Sequence, residues 1–329
     1  MSDDRVTSRD VARAAGVSQS TVSYVLNRTP GQSISDATRE RVLSAAAELG
    51  YTPSAAAKAL RSGSSGDVLV LLADGPIEAV LIGVLQTFGE ALTRYGHPVV
   101  VHRRTAHDVV ALVRDVRPAA VVDLSCLTPE ERAAVAATGT PLVGMALDGA
   151  HDRTMHIPQD RVGALQAAHL ADRGHTRIGY GASSDPRSEL FMRGRLAGVR
   201  RECAARGLPE PVVVDVPLFP DAARRSLERL RQRDQPVTAV CAYDGEVALA
   251  LVAAARGLGL RIPRDLALVA VDDEPLVRLA LPPITTVRIR TREMGTALAQ
   301  HVMRRLAPEL GLPEPDDEAS VVLVQRATT

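Results

Sequence analysis

The chain has 329 residues, with 39 basic and 39 acidic side chains and therefore no formal net charge at pH 7. This length exceeds one ordinary domain, so two or three folding units are expected. The charge balance excludes a broadly basic surface, which confines any contact with nucleic acid to a small region.

The remaining composition argues against a metal-binding protein, an enzyme and a membrane protein. Three cysteines, far apart and odd in number, indicate neither a disulfide framework nor a metal knuckle: Cys126, Cys203 and Cys241. The eight histidines lack metal-ligand spacing, and the chain has no Walker, dinucleotide-binding or nucleophile-elbow motif. With no signal peptide pattern and no apolar run of about 18 residues, we expect a soluble cytoplasmic protein without a cofactor.

Residues 7–27 carry the pattern of a helix-turn-helix. Apolar residues recur at three- and four-residue steps on either side of Gly16, which predicts two short helices that share a core: Val11, Ala12, Ala15, Val17, Val22, Val25 and Leu26. Thr7 or Ser8 can cap the first helix, with Asp10 completing a capping box, and Ser18 can cap the second. Both predicted helices therefore begin at a recognisable signal.

The second predicted helix exposes hydrogen-bonding side chains. They are Ser18, Gln19, Ser20 and Thr21 at its amino end, with Ser23, Tyr24 and Asn27 on the face opposite the apolar residues. In a recognition helix, residues at these places meet base edges in the major groove of DNA. For these residues alone, a small helical bundle with a polar surface remains the alternative.

A third helix and a linker follow. Ser35 and Asp36 open the helix, which ends at Gly50 and has the predicted apolar stripe Val42, Leu43, Ala46 and Leu49. The next segment, Ala55 to Arg61, is rich in alanine but too short to stay helical alone in water. Residues 62–66, Ser-Gly-Ser-Ser-Gly, are typical of a flexible linker.

Several of these segments carry a family resemblance. They are Val11 through Asn27, Thr38 through Val42, Leu49 through Ser54, and the alanine-rich stretch that ends in Leu60. Together they resemble the headpiece and hinge of the LacI/GalR family of bacterial transcriptional repressors. The resemblance is nearly continuous over residues 7–61 and implies a protein that binds double-stranded DNA at a roughly palindromic operator.

The resemblance also implies residue roles. The residues implied to contact bases are Gln19, Ser20 and Tyr24. Those implied to bind phosphates or support the helix are Ser18, Thr21, Ser23 and Asn27. DNA contacts are further implied for Thr7 and for the hinge residues Ala57, Leu60 and Arg61, with Leu60 as a wedge in the minor groove. Tyr24 departs from the more usual basic or imidazole side chain, so the operator sequence stays open.

From residue 67 onward, short apolar runs alternate with helix-length segments. The runs are Val68–Ala73, Pro98–Arg103, Ala119–Leu124, Leu142–Ala146, Arg177–Gly181, Val212–Val216, Thr238–Ala242 and Leu266–Val271, with a last strand from Val321 to Arg326. This alternation predicts parallel α/β sheets in two lobes. Ligands of such folds bind outside the carboxyl ends of the strands, where many of the polar residues of this chain lie. Most aspartates and serines at such places serve only as turns and caps.

This part of the chain resembles the family's effector domain, although more loosely than the headpiece. That domain is similar to periplasmic sugar-binding proteins. The resemblance rests on segments such as 159–163, 169–178, 194–198, 270–273 and 282–287. Arg195 matches the arginine that grips the effector, and Asp272 matches the aspartate that accepts its hydroxyl groups. The effector-binding residues that we predict are Asp74, Ser125, Asp160, Arg195, Tyr243 and Asp272. A polyhydroxylated or anionic small molecule would suit Arg195 and Asp272.

The departures from the family pattern bear on the effector. Tyr243-Asp244 replaces a frequent Asn-Asp pair, and the whole chain has only eight aromatic residues, counting five Tyr and three Phe. Because sugars commonly stack on aromatic rings, a carbohydrate is less strongly indicated here than for the family in general.

The predicted architecture is an all-α helix-turn-helix headpiece, residues 1–52, joined by a hinge helix and linker, residues 53–66, to a two-lobed α/β domain like periplasmic binding proteins, residues 67–329. Lobe 1 spans about 67–158 and 288–317, and lobe 2 spans about 159–287 and 318–329. The resemblance implies an effector-controlled transcriptional repressor. We expect a homodimer, because no leucine heptads of a tetramerising tail follow the last strand. The alternatives are a cytoplasmic solute-binding or sensor protein whose headpiece contacts other proteins and, with less support, an enzyme of nucleotide-binding type.

Overall fold

A computed structural model describes residues 6–26, 33–51, 64–74, 77, 79–104, 108–124, 127–146, 155–232, 235–315 and 321–329. The chain divides into two compact units, residues 1–66 and residues 67–329. Each unit has its own architecture and is described by itself.

The first unit contains three helices, α1 (Ser8–Ala15), α2 (Gln19–Leu26) and α3 (Asp36–Glu48). Gly16 ends α1 with φ +64°, a left-handed conformation that turns the chain into α2 and that glycine adopts without a steric penalty. The Asp10 carboxylate accepts hydrogen bonds from the Thr7 backbone N–H at 3.0 Å and from its hydroxyl at 2.6 Å. The Ser18 hydroxyl accepts from the Thr21 N–H at 3.1 Å, as its predicted capping role requires.

The helices enclose a small separate core. Its buried members are Val11, Ala12, Ala15, Val22, Val25, Val42, Ala45 and Ala46. The predicted stripe on α3 is half wrong, because Leu43 is 48% exposed and Leu49 is 37% exposed. Val42, Ala45 and Ala46 fill the inner face instead. Alanines at these i+3 and i+4 positions let α3 approach α1 and α2 closely, and the larger leucines lie about one helical step outside that face.

Lobe 1 of the second unit is built on a five-stranded parallel sheet. Its strands are β1 (Val68–Leu72), β2 (Val99–Arg103), β3 (Ala120–Leu124), β4 (Leu142–Ala146) and β5 (Met155–His156), in the order β2-β1-β3-β4-β5. Three helices belong with it: α4 (Ala79–Thr93), α5 (Val109–Val116) and α6 (Pro129–Ala136). The four longer strands match the predicted runs, and β5 was not predicted.

Lobe 2 is built on a six-stranded sheet in the order β11-β10-β9-β8-β6-β7. The strands are β6 (Ile178–Ser183), β7 (Val212–Val216), β8 (Ala239–Ala242), β9 (Ala267–Val271), β10 (Thr285–Ile289) and β11 (Val321–Val324). All neighbours are parallel except β11, which runs antiparallel to β10 at the sheet edge. The prediction of parallel sheets is confirmed for every pair but that one, and β10 was not predicted as a strand.

The helices that accompany this sheet are α7 (Gln159–Asp172), α8 (Glu189–Ala205), α9 (Pro220–Arg231), α10 (Gly245–Gly257) and α11 (Pro275–Leu279). The Gln166 side chain of α7 crosses onto the sheet and donates to the backbone oxygens of Ala242 and Val269 at 2.9 and 3.0 Å. A final helix, α12 (Thr291–Leu306), packs back on α4 of lobe 1. Since β11 then returns to the lobe 2 sheet, the chain passes between the lobes more than once.

Packing places the carboxyl ends of β6, β8 and β9 side by side, since the three strands are parallel neighbours. The loops that follow them open toward one region of the second unit. Among the helices in the described ranges, none is long and apolar enough to cross a membrane.

Candidate functional site

The polar surface of the first unit lies on α2 and at the start of α1. Ser18, Gln19, Ser20 and Tyr24 are exposed, and Thr21 and Ser23 are half-buried. The Ser18 hydroxyl lies 2.7 Å from that of Ser20 and 2.8 Å from that of Thr21. Hydroxyl groups in this arrangement surround the amino end of α2, where the helix dipole favours a phosphate.

A hydrogen bond ties the two helix starts together. The Gln19 Nε2 donates to the Ser8 hydroxyl at 2.8 Å, across the turn at Gly16. Thr7 is exposed beside it, and its bonds lower the pKa of the Asp10 carboxyl. The side chains predicted to touch bases and those predicted to touch phosphates therefore share one exposed face. Asn27, Ala57, Leu60 and Arg61 lie outside the described residues, so their predicted DNA contacts stay predictions.

A cavity of about 260 Å³ lies at the carboxyl ends of the lobe 2 strands. Lobe 2 contributes most of its wall, from the loops after β6, β7, β8 and β9 and from the start of α10. Lobe 1 contributes Ile77 and Ile82. We call this cavity, with walls from both lobes, the cleft. Its size suits a small metabolite rather than a drug-sized ligand.

Carboxylates dominate the polar part of the cleft wall, and they come from three loops: Asp185, Asp244, Glu246, Asp272 and Glu274. The Arg187 guanidinium binds Asp185 with two parallel hydrogen bonds, from Nε to Oδ1 at 3.0 Å and from Nη2 to Oδ2 at 2.8 Å, which lower the pKa of that carboxyl. The Asp244 Oδ1 accepts from the Val247 N–H at 2.8 Å and so caps α10. The wall therefore offers carboxylate oxygens as hydrogen-bond acceptors, and the polyhydroxylated or anionic effector stays a prediction.

Asp272 occupies an unusual backbone position at the end of β9. Its φ is +67°, a left-handed conformation that aspartate tolerates better than most residues, and the residue is only 8% exposed. The Asp272 N–H donates to the Val287 oxygen at 3.0 Å, and the Asp272 oxygen accepts from the Thr286 hydroxyl at 2.8 Å. Strand β10 therefore holds the backbone on both sides and fixes where the side chain meets the cleft.

Tyr243 lines the cleft, and Arg195 lies behind it. The Arg195 side chain is fully buried, with Nη1 donating to the Tyr243 backbone oxygen at 2.7 Å and Nε donating to the Gln159 Oε1 at 2.8 Å. Its guanidinium lies 4.7 Å from the centroid of the Tyr243 ring and 5.8 Å from that of Phe191. Arg195 thus supports the wall from within.

The structure brings together only part of the predicted effector site. Tyr243 and Asp272 line the cleft. Asp160 does not, because it faces α8 on the outside and pairs with Arg201 at 2.6 Å. Asp74 is exposed, pairs with Arg103 at 3.1 Å and is likewise absent from the described wall. Arg195 is fully buried and is absent from the described wall, so its contact with an effector stays a prediction.

Other cleft residues were missed, and Ser125 lies outside the described residues. Glu246 follows the predicted Tyr243 by three positions, and Glu274 follows the predicted Asp272 by two. Leu218 follows β7, which was predicted as a strand. The sequence therefore did contain a signal for these three cleft residues, namely their position shortly after a predicted strand. The residues chosen from the sequence were the nearest polar ones, whereas the wall also takes residues from the first turn of a helix.

Comparison with known proteins bears on both units. Residues 7–54 match the family described as bacterial regulatory proteins, lacI family, and residues 167–329 match a periplasmic binding protein-like domain. A relative named HTH-type transcriptional regulator MalR, from Streptomyces coelicolor, is 31% identical over 94% of this chain and 92% of its own length. The chain belongs to the LacI family of regulators.

Solved structures of transcription regulators extend the likeness over nearly the whole chain. A complex of the transcriptional regulator CelR with cellobiose is 26% identical, with a TM-score of 0.67, and covers 99% of this chain and 100% of that one. The Lac repressor dimer bound to operator and an anti-inducer has the same fold, with a TM-score of 0.81 at 24% identity and coverage of 99% of both chains. The predicted family and fold class are confirmed, and this LacI-family chain is a transcription regulator with a DNA-binding headpiece.

Proposed function

We propose that this LacI-family regulator binds a specific operator as a homodimer and that a small polar molecule in the cleft sets its affinity for that operator. The observation that carries the proposal is that one chain combines an exposed recognition helix with a ligand-sized cleft walled by two lobes. Its relatives are named as transcription regulators rather than enzymes. Because its target is DNA, we place its action in the bacterial cytoplasm.

Base reading falls to Gln19, Ser20 and Tyr24, which are exposed on α2. An amide side chain at the start of a recognition helix can pair with an adenine edge and separates right from wrong bases by about 1–3 kcal/mol. Ser18 and Thr21 lie where phosphates approach, and such contacts set the register of the protein on the duplex. Two copies related by a two-fold axis predict a palindromic operator.

Ligand control follows from the two-sided wall of the cleft. Ile77 and Ile82 belong to lobe 1, whereas Tyr243 and Asp272 belong to lobe 2, so a bound molecule has contacts on both sides. A ligand shifts the equilibrium between lobe arrangements only by its difference in affinity for them. The hinge segment, residues 55–61, is too short to stay helical alone, so we propose that it folds only when two copies pair on DNA.

The effector is proposed to be a hydroxyl-bearing metabolite. CelR, similar along its full length, was solved with cellobiose, which is a disaccharide. The carboxylates and hydroxyls of the cleft wall here accept hydrogen bonds from hydroxyl groups, while the isoleucines and Leu218 pack against a carbon skeleton.

Selection of operator sequences from a random DNA library, with the purified full-length protein, tests the DNA half of the proposal. We expect an enriched palindromic motif for the wild type. In Gln19→Ala, discrimination at one base position in each half-site should fall by about 1–3 kcal/mol, measured by titrating single-base operator variants. Ser44→Ala is the matched control, since Ser44 is exposed on α3 and bonds only with Glu48 among the described contacts.

Two outcomes would contradict this assignment. Selection that enriches no motif removes operator binding altogether. Equal weakening of every operator variant by Gln19→Ala assigns Gln19 to general backbone contact instead of base reading.

A further inference from the structure

Helix α7 begins at the point where the chain crosses from lobe 1 to lobe 2. Only Ile157 and Pro158, which we call the crossover, separate strand β5 of lobe 1 from Gln159, the first residue of α7. The Gln159 N–H donates to the Ile157 backbone oxygen at 2.8 Å, and all three residues are buried. The backbone of the crossover therefore fixes where the Gln159 side chain starts.

Two hydrogen bonds lead from Gln159 to the wall of the cleft. The Gln159 Oε1 accepts from the Arg195 Nε at 2.8 Å, and the Arg195 Nη1 donates to the Tyr243 backbone oxygen at 2.7 Å. The same guanidinium lies 4.7 Å from the centroid of the Tyr243 ring. Because Tyr243 lines the cleft, one intervening side chain joins the cleft wall to the first side chain after the crossover.

A second glutamine of α7 holds the neighbouring carbonyl. Gln166 follows Gln159 by seven residues, which places both on the same face of the helix. Its Nε2 donates to the Ala242 oxygen at 2.9 Å and to the Val269 oxygen at 3.0 Å. The carbonyls of Ala242 and Tyr243 are consecutive where β8 ends, so α7 holds both of them. A movement of α7 at the crossover would therefore move the start of the cleft wall.

The Gln159 side chain packs against a glycine of α8. A Cβ on Gly194 would lie 2.7 Å from the Gln159 Cβ, which is closer than such atoms approach each other in proteins. Gln159 is only 4% exposed, and its Nε2 has no hydrogen-bond partner among the described residues. A carboxylate at this position would thus keep the acceptor for Arg195 without losing a described hydrogen bond.

We propose that Gln159 is a positioning residue that couples the crossover between the lobes to the place of Tyr243 in the cleft, with Arg195 as the intermediate. When the lobes change their arrangement, the crossover moves Gln159, and the bonds through Arg195 carry that movement to the wall. Coupling of this kind is reciprocal, so a ligand that shifts Tyr243 also biases the arrangement of the lobes. The inference rests on the proposed function, because it connects the cleft of that function to the movement of the lobes.

Nitration of the full-length protein with tetranitromethane tests the position of Tyr243 without an effector. The reagent modifies tyrosine rings that it can reach, and peptide mass spectrometry gives the rate at each tyrosine. Tyr243 is 1% exposed, and Tyr180 on β6, at 0%, is the internal reference. The ratio of the rate at Tyr243 to the rate at Tyr180 reports a local change at the cleft, because loss of the whole fold raises both rates.

Variants of Gln159 remove or keep the acceptor. Gln159→Met keeps the length of the side chain but has no oxygen for Arg195, so the ratio should rise about tenfold. Gln159→Glu keeps an acceptor beside Arg195, so the ratio should stay within about twofold of the wild type. Gln86→Met is the matched control and should leave the ratio unchanged, since Gln86 is exposed on α4 and bonds to Glu90 at 3.2 Å.

Two further variants leave Gln159 itself in place. Gly194→Ala should displace the Gln159 side chain, and Pro158→Gly should loosen the backbone of the crossover. We expect each to raise the ratio about threefold or more. All variants are nitrated below the onset of their thermal unfolding, which circular dichroism measures.

The proposal is overturned if Gln159→Met leaves the ratio unchanged, if it raises the rates at Tyr243 and Tyr180 equally, or if Gln159→Glu raises the ratio as much as Gln159→Met does. An unchanged ratio in Pro158→Gly or in Gly194→Ala would likewise contradict the coupling to the crossover. No operator and no effector enter these measurements, so their failure leaves the proposed function standing. Loss of operator selection would instead remove the proposed function itself.

Discussion

Arg195 shows how a single buried side chain can shape the wall of a cleft. It is fully buried, and its guanidinium holds the Tyr243 backbone oxygen and the Gln159 amide oxygen. Burying a charge is costly unless its donors are bonded, and here two aromatic rings and two oxygens surround it. The position of Tyr243 in the cleft therefore depends on Arg195.

Replacing this arginine should first weaken the fold. Arg195→Met keeps the length of the side chain but leaves the oxygens of Gln159 and Tyr243 without these donors, so we expect a loss of about 3 kcal/mol in the free energy of unfolding of residues 67–329. Urea unfolding monitored by circular dichroism measures it. Arg200→Met is the control, because its ion pair with Glu210 is exposed and should cost under about 1 kcal/mol. Equal losses in the two variants would contradict the anchoring role of Arg195.

At the scale of residues, the sequence placed candidates just beyond strand ends. Tyr243 after β8 and Asp272 after β9 line the cleft, whereas Asp74 after β1 does not. Asp272 and Asp160 look alike in the sequence, as acids at the start or end of an element. Only the packing of α7 on α8 turns Asp160 outward to Arg201, while β10 fixes Asp272 against the cleft. Such orientation depends on contacts between residues far apart in the chain, which periodicity does not contain.

Helices α7 and α8 cross with their backbones in contact. A Cβ on Gly163 of α7 would overlap the backbone oxygen of Arg195, and a Cβ on Gly198 of α8 would overlap that of Asp160. These two glycines therefore set the distance between the helices. The crossing carries both Gln159 and Arg195, so the geometry behind the cleft depends on it.

Gly198→Ala should force the two helices apart. Overpacking of this kind costs about 1–3 kcal/mol, and we expect a loss of that size in the free energy of unfolding of residues 67–329, measured by urea unfolding. Gly89→Ala on α4 is the control, because a Cβ there meets nothing within 4 Å and alanine favours a helix by about 0.5–1 kcal/mol. If Gly198→Ala is as stable as the wild type, the helices do not depend on this contact.

The helices and strands were predicted from the sequence more successfully than the side chains of the cleft. The long buried strands and the capped helices of the first unit have strong local signals, as at Ser18 and Ser35. Strand β5 has only two residues and no pattern to detect. Strand β10, with the sequence Thr-Thr-Val-Arg-Ile, begins one residue after two consecutive prolines. Its identity as a strand comes from pairing with β9 and β11, which are nonlocal partners.

The two units differ in their response to acid. Half-buried His169 and His175, both in lobe 2, have lowered pKa values because burial disfavours the charged ring and Arg173 lies nearby. As the pH falls below the usual value of 6.5, the unfolded chain binds these protons first. Stability present above pH 6.5 is thus lost as the pH falls through the folded-state pKa. Residues 1–66 contain no histidine, so they lack this term.

Melting curves between pH 7 and pH 5.5 test this difference. As the pH falls, the free energy of unfolding of residues 67–329 should fall by up to about 1.4 kcal/mol per pH unit for each histidine, so their transition moves to lower temperature. The transition temperature of the headpiece should stay constant. His169→Gln and His175→Gln should flatten the response, and His97→Gln in lobe 1 is the control. A headpiece that shifts in parallel would show that the two units unfold together.

The headpiece has its own hydrophobic core, and none of its members belongs to the core of residues 67–329. A substitution on the exposed face of α2 therefore leaves the core of residues 67–329 unchanged. A substitution in the cleft likewise leaves the core beneath the recognition helix unchanged. During evolution, a duplicated copy of such a gene can acquire a new target promoter and a new signal in separate steps. The same independence allows chimaeras in which this sensor governs a reporter promoter through a borrowed headpiece.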